Sequence, residues 1–316
     1  MRLHRPFMLG LGLLAPATVR AQSSAPASPP VRFSGYLQAR ETWQQDVGLT
    51  ASINRARLTA SGAIVDGVTW RIQGEFRTGN VGTGRASVSL QDAFIRYAKD
   101  TWGVQAGQFK TPFTSQYVMS LTLVETADRA AVVDSLAPKR QIGFMGEYTF
   151  AKRVSVYGGV FNRNGQNVTT NSDSSSLGVG RLVVRVLPQL SIGTYGARYF
   201  GDSTRYGFEA NVETPRFVAR GEWLAQSRDG FGGPDDKGWY ALAGYFVAPG
   251  VQVVGEYEEF RRDAISLQQK NRAWTAVLNL YPWSRNTRIV LEYVSRKIGD
   301  PGVRKGQVLG QFQVVF

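Results

Sequence analysis

Residues 68–77 read Val-Thr-Trp-Arg-Ile-Gln-Gly-Glu-Phe-Arg, and two kinds of side chain alternate strictly along them. From Val68 onward every second residue is apolar or glycine, and each residue between is polar or charged. Successive side chains of a β-strand point to opposite faces, so this period of two predicts a strand with one apolar and one polar face. Its length suits a tilted strand that crosses a bilayer, which needs about 9–11 residues, better than a soluble strand of about five or six.

The same alternation continues from residue 31 to the end of the sequence, for example over 205–213 and 273–280. In the second of these stretches Val277 interrupts the otherwise polar face. We predict about sixteen strands, over residues 31–45, 51–64, 68–78, 88–98, 101–110, 140–149, 153–163, 177–187, 190–200, 204–213, 216–227, 238–248, 251–261, 271–281, 285–296 and 304–316.

The predicted connections are of two kinds that alternate along the chain. One kind is tight, such as Val65-Asp66-Gly67 and Pro188-Gln189, and the other is mostly longer, up to the 29 residues of 111–139. Two members of the longer set, 46–50 and 201–203, are short. Short turns on one rim and long loops on the other predict a transmembrane antiparallel up-and-down β-barrel with both termini on the short-turn, periplasmic rim.

The first 21 residues have the parts of a secretory signal peptide. A basic start, Arg2 to Arg5, precedes the apolar run Phe7–Val19, and Val19-Arg20-Ala21 offers small residues where a signal peptidase reads. The run has 13 residues, whereas a spanning helix needs about 20, so we expect cleavage after Ala21 and not an anchor. The sequence therefore predicts a signal peptide over 1–21, a flexible Ser/Pro/Ala-rich leader over 22–30 and a barrel over 31–316.

Cysteine is absent from the 316 residues, and His4 is the single histidine. Without cysteine there is no disulfide scaffold, no cysteine nucleophile and no Cys-ligated metal site. After removal of residues 1–21 no histidine remains, so a serine nucleophile would lack its usual base. We therefore expect no enzymatic activity, no metal and no other cofactor.

The charge balance is basic, with 37 Lys and Arg against 24 Asp and Glu. Removal of residues 1–21 takes away three arginines and no acid, which leaves 34 basic and 24 acidic residues and a net charge of +10. The basic residues are scattered singly along strands and not massed in a run or a helix, which argues against nucleic acid as a partner. We expect small anions such as phosphate or chloride as solutes, and outer-membrane lipid and lipopolysaccharide as surroundings.

The sequence resembles the phosphate-selective porin O and P family in four stretches: Ile53–Thr59 (INRARLT), Gly67–Phe76 (GVTWRIQGEF), Leu90–Tyr97 (LQDAFIRY) and Val104–Phe113 (VQAGQFKTPF). The motif GQFKTPF is the most specific, and the resemblance covers roughly residues 31–165. It implies an outer-membrane porin that forms a sixteen-stranded, homotrimeric barrel. It also implies a lumen lined by basic residues and a long third loop folded into that lumen, which fits 111–139.

In such a barrel the polar strand faces line a water-filled lumen. Arginine stays charged at any working pH and offers a planar fork of donors to oxyanions, so a row of arginines favours anions over cations. The alternative for any one arginine is that it pairs with an acid on a facing strand and only stabilises the wall. We expect the anion pathway to be lined by Arg55, Arg57, Arg71, Arg77, Arg96, Lys110, Arg181, Arg185, Arg205, Arg220 and Arg288.

The long loop and the last residue complete the predicted site. Loops as long as 111–139 in compact folds are usually functional, so we expect this loop to narrow the pore. The expected constriction residues are Tyr117, Glu125, Arg129 and Lys139. Phe316 ends an alternating strand and looks like the signal that the outer-membrane assembly machinery recognises, so we expect it to act in assembly.

Three functions are compatible with these patterns. The first is an anion-preferring porin for passive diffusion of small solutes, phosphate among them. The second is a structural or adhesive outer-membrane barrel with an occluded lumen, and the third is a soluble periplasmic β-protein. Sixteen strands enclose an aqueous bore in most barrels, whereas about eight can be filled by side chains, so the strand number favours the porin.

Overall fold

The fold is an antiparallel β-barrel, seen in a computed structural model that describes residues 31–77, 87–170, 175–229, 236–264, 267–299 and 302–316. Each strand pairs with its sequence neighbours, and the first pairs with the sixteenth to close the barrel. The strands are β1 (Arg32–Gln44), β2 (Gly48–Val65), β3 (Val68–Arg77), β4 (Ser87–Lys99), β5 (Trp102–Lys110), β6 (Arg140–Phe150), β7 (Val154–Asn162), β8 (Ser176–Leu187), β9 (Leu190–Tyr199), β10 (Ser203–Glu213), β11 (Phe217–Arg228), β12 (Asp236–Ala248), β13 (Val251–Ala264), β14 (Leu267–Leu280), β15 (Thr287–Gly299) and β16 (Gly302–Val315).

The predicted fold class is confirmed in strand number, antiparallel order and closure. Each predicted strand boundary lies within four residues of the observed one. The proposed signal peptide, 1–21, and leader, 22–30, lie outside the described residues. No helix in the described part of the chain is long and apolar enough to cross a bilayer.

The side chains of β3 alternate between the outer and inner faces of the barrel, as the sequence predicts. Ile72 and Phe76 are 52% and 47% exposed on the outer face, whereas Gln73 and Glu75 are buried inside the barrel. Val277, which interrupts the polar face of β14, is also buried, within the apolar cluster that fills part of the interior. Val277 is apolar because this stretch of the inner wall packs against protein and not against water.

Two β-bulges turn extra polar side chains inward. Asn54 has no partner in the β1–β2 register, where Gln38 pairs with Arg55 and Ala39 with Ile53. A second bulge lies between β3 and β4 at Gln91. Each bulge places two consecutive residues against one on the facing strand, so the alternation shifts phase at that point.

The connection between β5 and β6 folds into the barrel, as predicted for 111–139. It carries two short helices, α1 (Ser115–Val118) and α2 (Ala131–Leu136), and α2 contacts β11, β12 and β13. Apolar side chains of the loop are fully buried, among them Phe113, Val132 and Val133. The buried core of the protein therefore lies inside the barrel, between this loop and the inner faces of strands from β5 to β16.

Candidate functional site: the barrel lumen

Three glutamates of the wall accept backbone N–H groups of the inward loop. Glu222 Oε1 accepts from Gln116 N at 2.8 Å. Glu292 Oε2 accepts from Ala127 N at 2.7 Å, and Glu258 Oε2 accepts from Ala131 N at 2.5 Å. The three carboxylates come from β11, β15 and β13, so the loop is fastened to one side of the barrel.

Glu222 is the most enclosed of these carboxylates. The hydroxyls of Tyr195 and Tyr240 donate to its two oxygens at 2.9 and 3.0 Å, and Ser115 Oγ lies 3.0 Å from Oε1. A buried carboxylate needs such donors, because charge-assisted hydrogen bonds offset the loss of hydration. Glu222 therefore positions the loop and lies away from the open lumen.

Donors of the wall bind the loop's carbonyl groups. Arg288 Nη1 donates to the Val124 carbonyl at 2.6 Å, and Arg205 Nη1 donates to the Leu136 carbonyl at 2.9 Å. Asn279 Nδ2 donates to the Glu125 carbonyl at 2.8 Å. These bonds satisfy buried backbone acceptors, which makes the loop a fixed part of the interior.

The acids of the loop form ion pairs with wall arginines. Arg220 Nη2 lies 3.0 Å from Glu125 Oε1. Arg40 Nη1 lies 2.7 Å from Asp128 Oδ2, and Arg55 Nη2 lies 3.5 Å from Asp128 Oδ1. Burial alone would raise the pKa of Asp128, but the hydrogen bonds and charges of Arg40 and Arg55 hold it below its ordinary value.

Arg129 holds the loop together from within. Its guanidinium donates to the carbonyls of Gln116 and Tyr117 at 2.9 and 3.1 Å and lies over the Tyr117 ring, 4.8 Å from the centroid. Burial lowers the pKa of Arg129 to about 10, so the group stays charged at neutral pH. At the loop base, Thr111 N and Oγ1 both donate to the Lys139 carbonyl, at 3.1 and 3.0 Å.

These contacts divide the lumen into two halves. The loop fills the side along β11 to β15, where Glu222, Glu258 and Glu292 act as its acceptors. The other half, along β2 to β8, contains a cavity of about 340 Å³, which we call the central cavity. The wall acids that fasten the loop are thus separated from the open half.

The central cavity is rich in basic side chains. Its lining includes two acids, Asp92 and Glu147, and the basic residues Arg57, Arg71, Lys110, Arg140 and Arg181.

Arg71 is the most water-accessible of the four arginines in this cavity. Its side chain is 41% exposed, against 8% for Arg57, 7% for Arg140 and 11% for Arg181. Asp92 Oδ2 lies 3.4 Å from Arg71 Nε, whereas the other oxygen of Asp92 accepts from Arg140 Nε at 2.8 Å. A permeating solute therefore meets Arg71 more readily than its neighbours.

A second cavity of about 310 Å³, the rim cavity, lies at the short-turn rim. Its lining includes two acids, Glu209 and Glu213, and the basic residues Lys152, Arg153, Arg181, Arg185 and Arg220. Arg181 lines both cavities and is fixed by Glu209 Oε1 at 2.5 Å. The central and rim cavities are thus both rich in basic residues, and they share one arginine.

The sequence-predicted basic residues fall into groups. Arg57, Arg71, Lys110 and Arg181 line the central cavity, and Arg181, Arg185 and Arg220 line the rim cavity.

The remaining predicted arginines have other surroundings. Arg55, Arg205 and Arg288 contact the loop. Arg96 forms an ion pair with Glu147, whose carboxylate lines the central cavity. Arg77 ends β3, and its side chain lies outside the described part.

Most of the predicted loop residues make contacts that hold the loop in place. Tyr117 is buried, with the ammonium of Lys110 over its ring at 5.6 Å from the centroid. Glu125 pairs with Arg220, and Lys139 closes the loop base with a positive φ of 62°.

Arg140 was missed by the sequence reasoning. Alternation along β6 assigns Arg140 to the same face as Phe144 and Tyr148, which point outward. Arg140 is nevertheless buried in the central cavity, where β6 leaves the loop. The signal that was available is its position directly after the predicted long loop, where strand alternation no longer constrains the side chain.

Phe316 lies where β16 meets β1. Its backbone N donates to the Gly35 carbonyl at 3.0 Å, and its ring is 64% exposed on the outer surface. Phe316 therefore lies away from the lumen.

Known proteins share this architecture at low identity. OmpT of Vibrio cholerae is similar with a TM-score of 0.67 and 12% identity over 92% of this chain and 98% of that chain. An anion-selective porin from Comamonas acidovorans gives 0.64 and 15% over 91% and 100%, and a triple mutant of Rhodopseudomonas blastica porin gives 0.61 and 13% over 91% and 100%. At these identities the likeness shows the fold.

The family assignment comes from the sequence. No curated protein matches the chain. The profile of the phosphate-selective porin O and P family matches residues 35–195, just over half of the chain and more than the stretch that carries its motifs. This protein therefore belongs to the phosphate-selective porin O and P family and is a porin of the bacterial outer membrane.

Proposed function

We propose that the protein is an anion-preferring, water-filled channel for the passive diffusion of small solutes, including chloride and phosphate. The observation that carries this proposal is the separation of charge inside the barrel. Glu222, Glu258 and Glu292 bind the loop's backbone, whereas basic side chains outnumber acids in the lining of the central and rim cavities. Confined charges act at short range and are screened less by salt than charges on an open surface, so anions enter more readily.

The test is a reversal potential of the purified channel in a planar bilayer under a KCl gradient. We expect anion selectivity, most pronounced at low salt, and a shift toward zero when Arg55, Arg57 and Arg71 are replaced together by Gln. Arg198→Gln is the matched control, because Arg198 pairs with Asp229 in an exposed contact outside the lumen. A cation-selective wild-type channel would refute the proposal.

A barrel with an occluded lumen is the second candidate, because the loop fills one half of the interior. In a structural or adhesive barrel of this kind, the same bilayer recording gives no current in wild type and gives current only after the loop is shortened. Steady current through wild type excludes it.

We further propose a homotrimer exported by its signal peptide. A structure of in-vitro-folded Vibrio cholerae OmpT is described as a trimer form, which supports this assembly. Unheated gel electrophoresis and mass photometry in detergent measure the oligomer. N-terminal sequencing of the outer-membrane form tests cleavage after Ala21, for which the expected first residue is Gln22.

A further inference from the structure

The central cavity has an apolar side as well as a basic one. Phe94, Phe109 and Met145 contribute apolar surface from β4, β5 and β6. The rings of Phe94 and Phe109 meet edge to face, with centroids 5.9 Å apart. The inward loop adds Pro112, Val118 and Leu121.

Val118 is the most exposed of these apolar residues. It ends α1, lines the cavity and keeps 41% of its surface exposed. A valine in this position offers a lumen solute a contact with hydrocarbon next to the cavity's guanidinium groups. Lys110 binds the loop here through the Val118 carbonyl, at 3.1 Å, so a change of the Val118 side chain leaves this contact in place.

This combination discriminates between classes of anion. Inorganic phosphate is charged and hydrogen-bonded on every side, so contact with an apolar wall removes its water without replacing the lost bonds. An organic monocarboxylate carries its charge at one end. Its carboxylate can accept from the arginine fork while its hydrocarbon part leaves water against apolar side chains.

The size of the cavity agrees with a small ligand. At about 340 Å³ it lies near the lower end of known ligand sites, which range from about 300 to 1,000 Å³ and combine apolar walls with a few polar groups.

We propose that the central cavity is a binding site for small monocarboxylates with an apolar skeleton. The carboxylate binds at Arg71, and the skeleton contacts Val118, Leu121 and Phe94. This site deepens the proposed function and rests on it, since both require anions to enter the lumen.

The test is the block of single-channel chloride current by benzoate, acetate and inorganic phosphate. We expect benzoate to halve the current at a concentration about tenfold lower than acetate or phosphate, since its ring adds apolar contact area. Arg71→Gln should weaken the block by benzoate and by acetate alike.

Val118→Thr separates the apolar contact from the charge, because threonine keeps the shape of valine and carries a hydroxyl in place of one methyl group. We expect it to weaken the block by benzoate about threefold and to leave the ratio of acetate to phosphate unchanged. Leu123→Thr is the matched control. Leu123 is 66% exposed on the same loop segment and does not belong to the described residues that line the cavity.

The outcomes separate the two proposals. Anion-selective current with phosphate as the strongest blocker, or equal effects of Val118→Thr and Leu123→Thr on benzoate, would overturn the carboxylate site alone. A cation-selective reversal potential in KCl without added blocker would overturn the proposed function.

Discussion

Gly35 and Phe316 exchange both of their backbone hydrogen bonds, with N···O distances of 2.8 and 3.0 Å, and so join β1 to the end of the chain. The ring of Phe316 covers Gly35 closely. A Cβ added to Gly35 would lie 2.8 Å from that ring and 2.4 Å from the carbonyl oxygen of Arg57. Closure of the barrel at this point therefore requires a glycine.

Gly35→Ala should destabilise the barrel by about 1–3 kcal/mol, as expected for overpacking at a site with no room. The measurement is the urea midpoint of the folded, heat-modifiable band in lipid vesicles. Gly158→Ala on β7 is the control, since a Cβ there meets no atom within 4 Å. Equal midpoints for the two variants would contradict the closure argument.

Phe316→Ser should reduce the amount of folded protein in the outer membrane while leaving the conductance of assembled channels unchanged. The reason is that the ring lies on the outer surface at the β1–β16 seam, away from both cavities. Phe312→Ser is the matched control, because Phe312 is another outward aromatic of β16. Normal levels of the Phe316 variant would refute a role in assembly.

Replacement of residues 115–136 by a short Gly-Ser link should raise single-channel conductance, because it empties the filled half of the lumen. The anion preference should persist, because the deleted segment contains three acids, Glu125, Asp128 and Asp134, and one arginine, Arg129. Unchanged conductance in a variant that still folds would mean that the loop does not narrow the ion path.

Lowering the pH should weaken the ion pairs of Asp128 with Arg40 and Arg55 on the barrel wall. The pKa of Asp128 is lowered in the folded protein, so the contribution of the ion pairs with Arg40 and Arg55 is present above the ordinary carboxyl pKa and is lost as pH falls through the lowered value. We expect current fluctuations to grow across that acid range. Asp128→Asn should show the fluctuations already at neutral pH, and an acid response that persists in Asp128→Asn would assign it to another group.

Arg71 and Arg288 should respond to the same substitution in different ways. Arg71→Gln should move the reversal potential toward zero with little change in stability, because Arg71 is 41% exposed. Arg288 is 1% exposed and donates to the Val124 carbonyl. Arg288→Gln should therefore cost about 1–3 kcal/mol of stability through a buried carbonyl left without its donor, read from the urea midpoint, with a smaller change in selectivity.

The barrel follows from local patterns in the sequence. A period of two assigns each strand a lipid face and a lumen face, as in 68–77, and short turns allow adjacent strands to pair only as antiparallel hairpins. These signals are local, so strand bounds and strand number were predictable, whereas the inward position of 111–139 was predicted from the family resemblance and from the length of the loop. The local signal failed where the backbone departs from regular pleating, at the Asn54 bulge and at Arg140 beside the loop.

Which lumen charges face water depends on contacts between residues far apart in the sequence. Alternation places Glu222, Glu258 and Glu292 on the same polar faces as the arginines, and no local pattern distinguishes the two sets. Their partners in the loop lie 106, 127 and 165 residues away in sequence. Only the folded path of the loop brings its backbone N–H groups to these carboxylates, and a buried carboxylate needs such donors to offset its lost hydration. The basic character of the open half is therefore a consequence of where the loop lies.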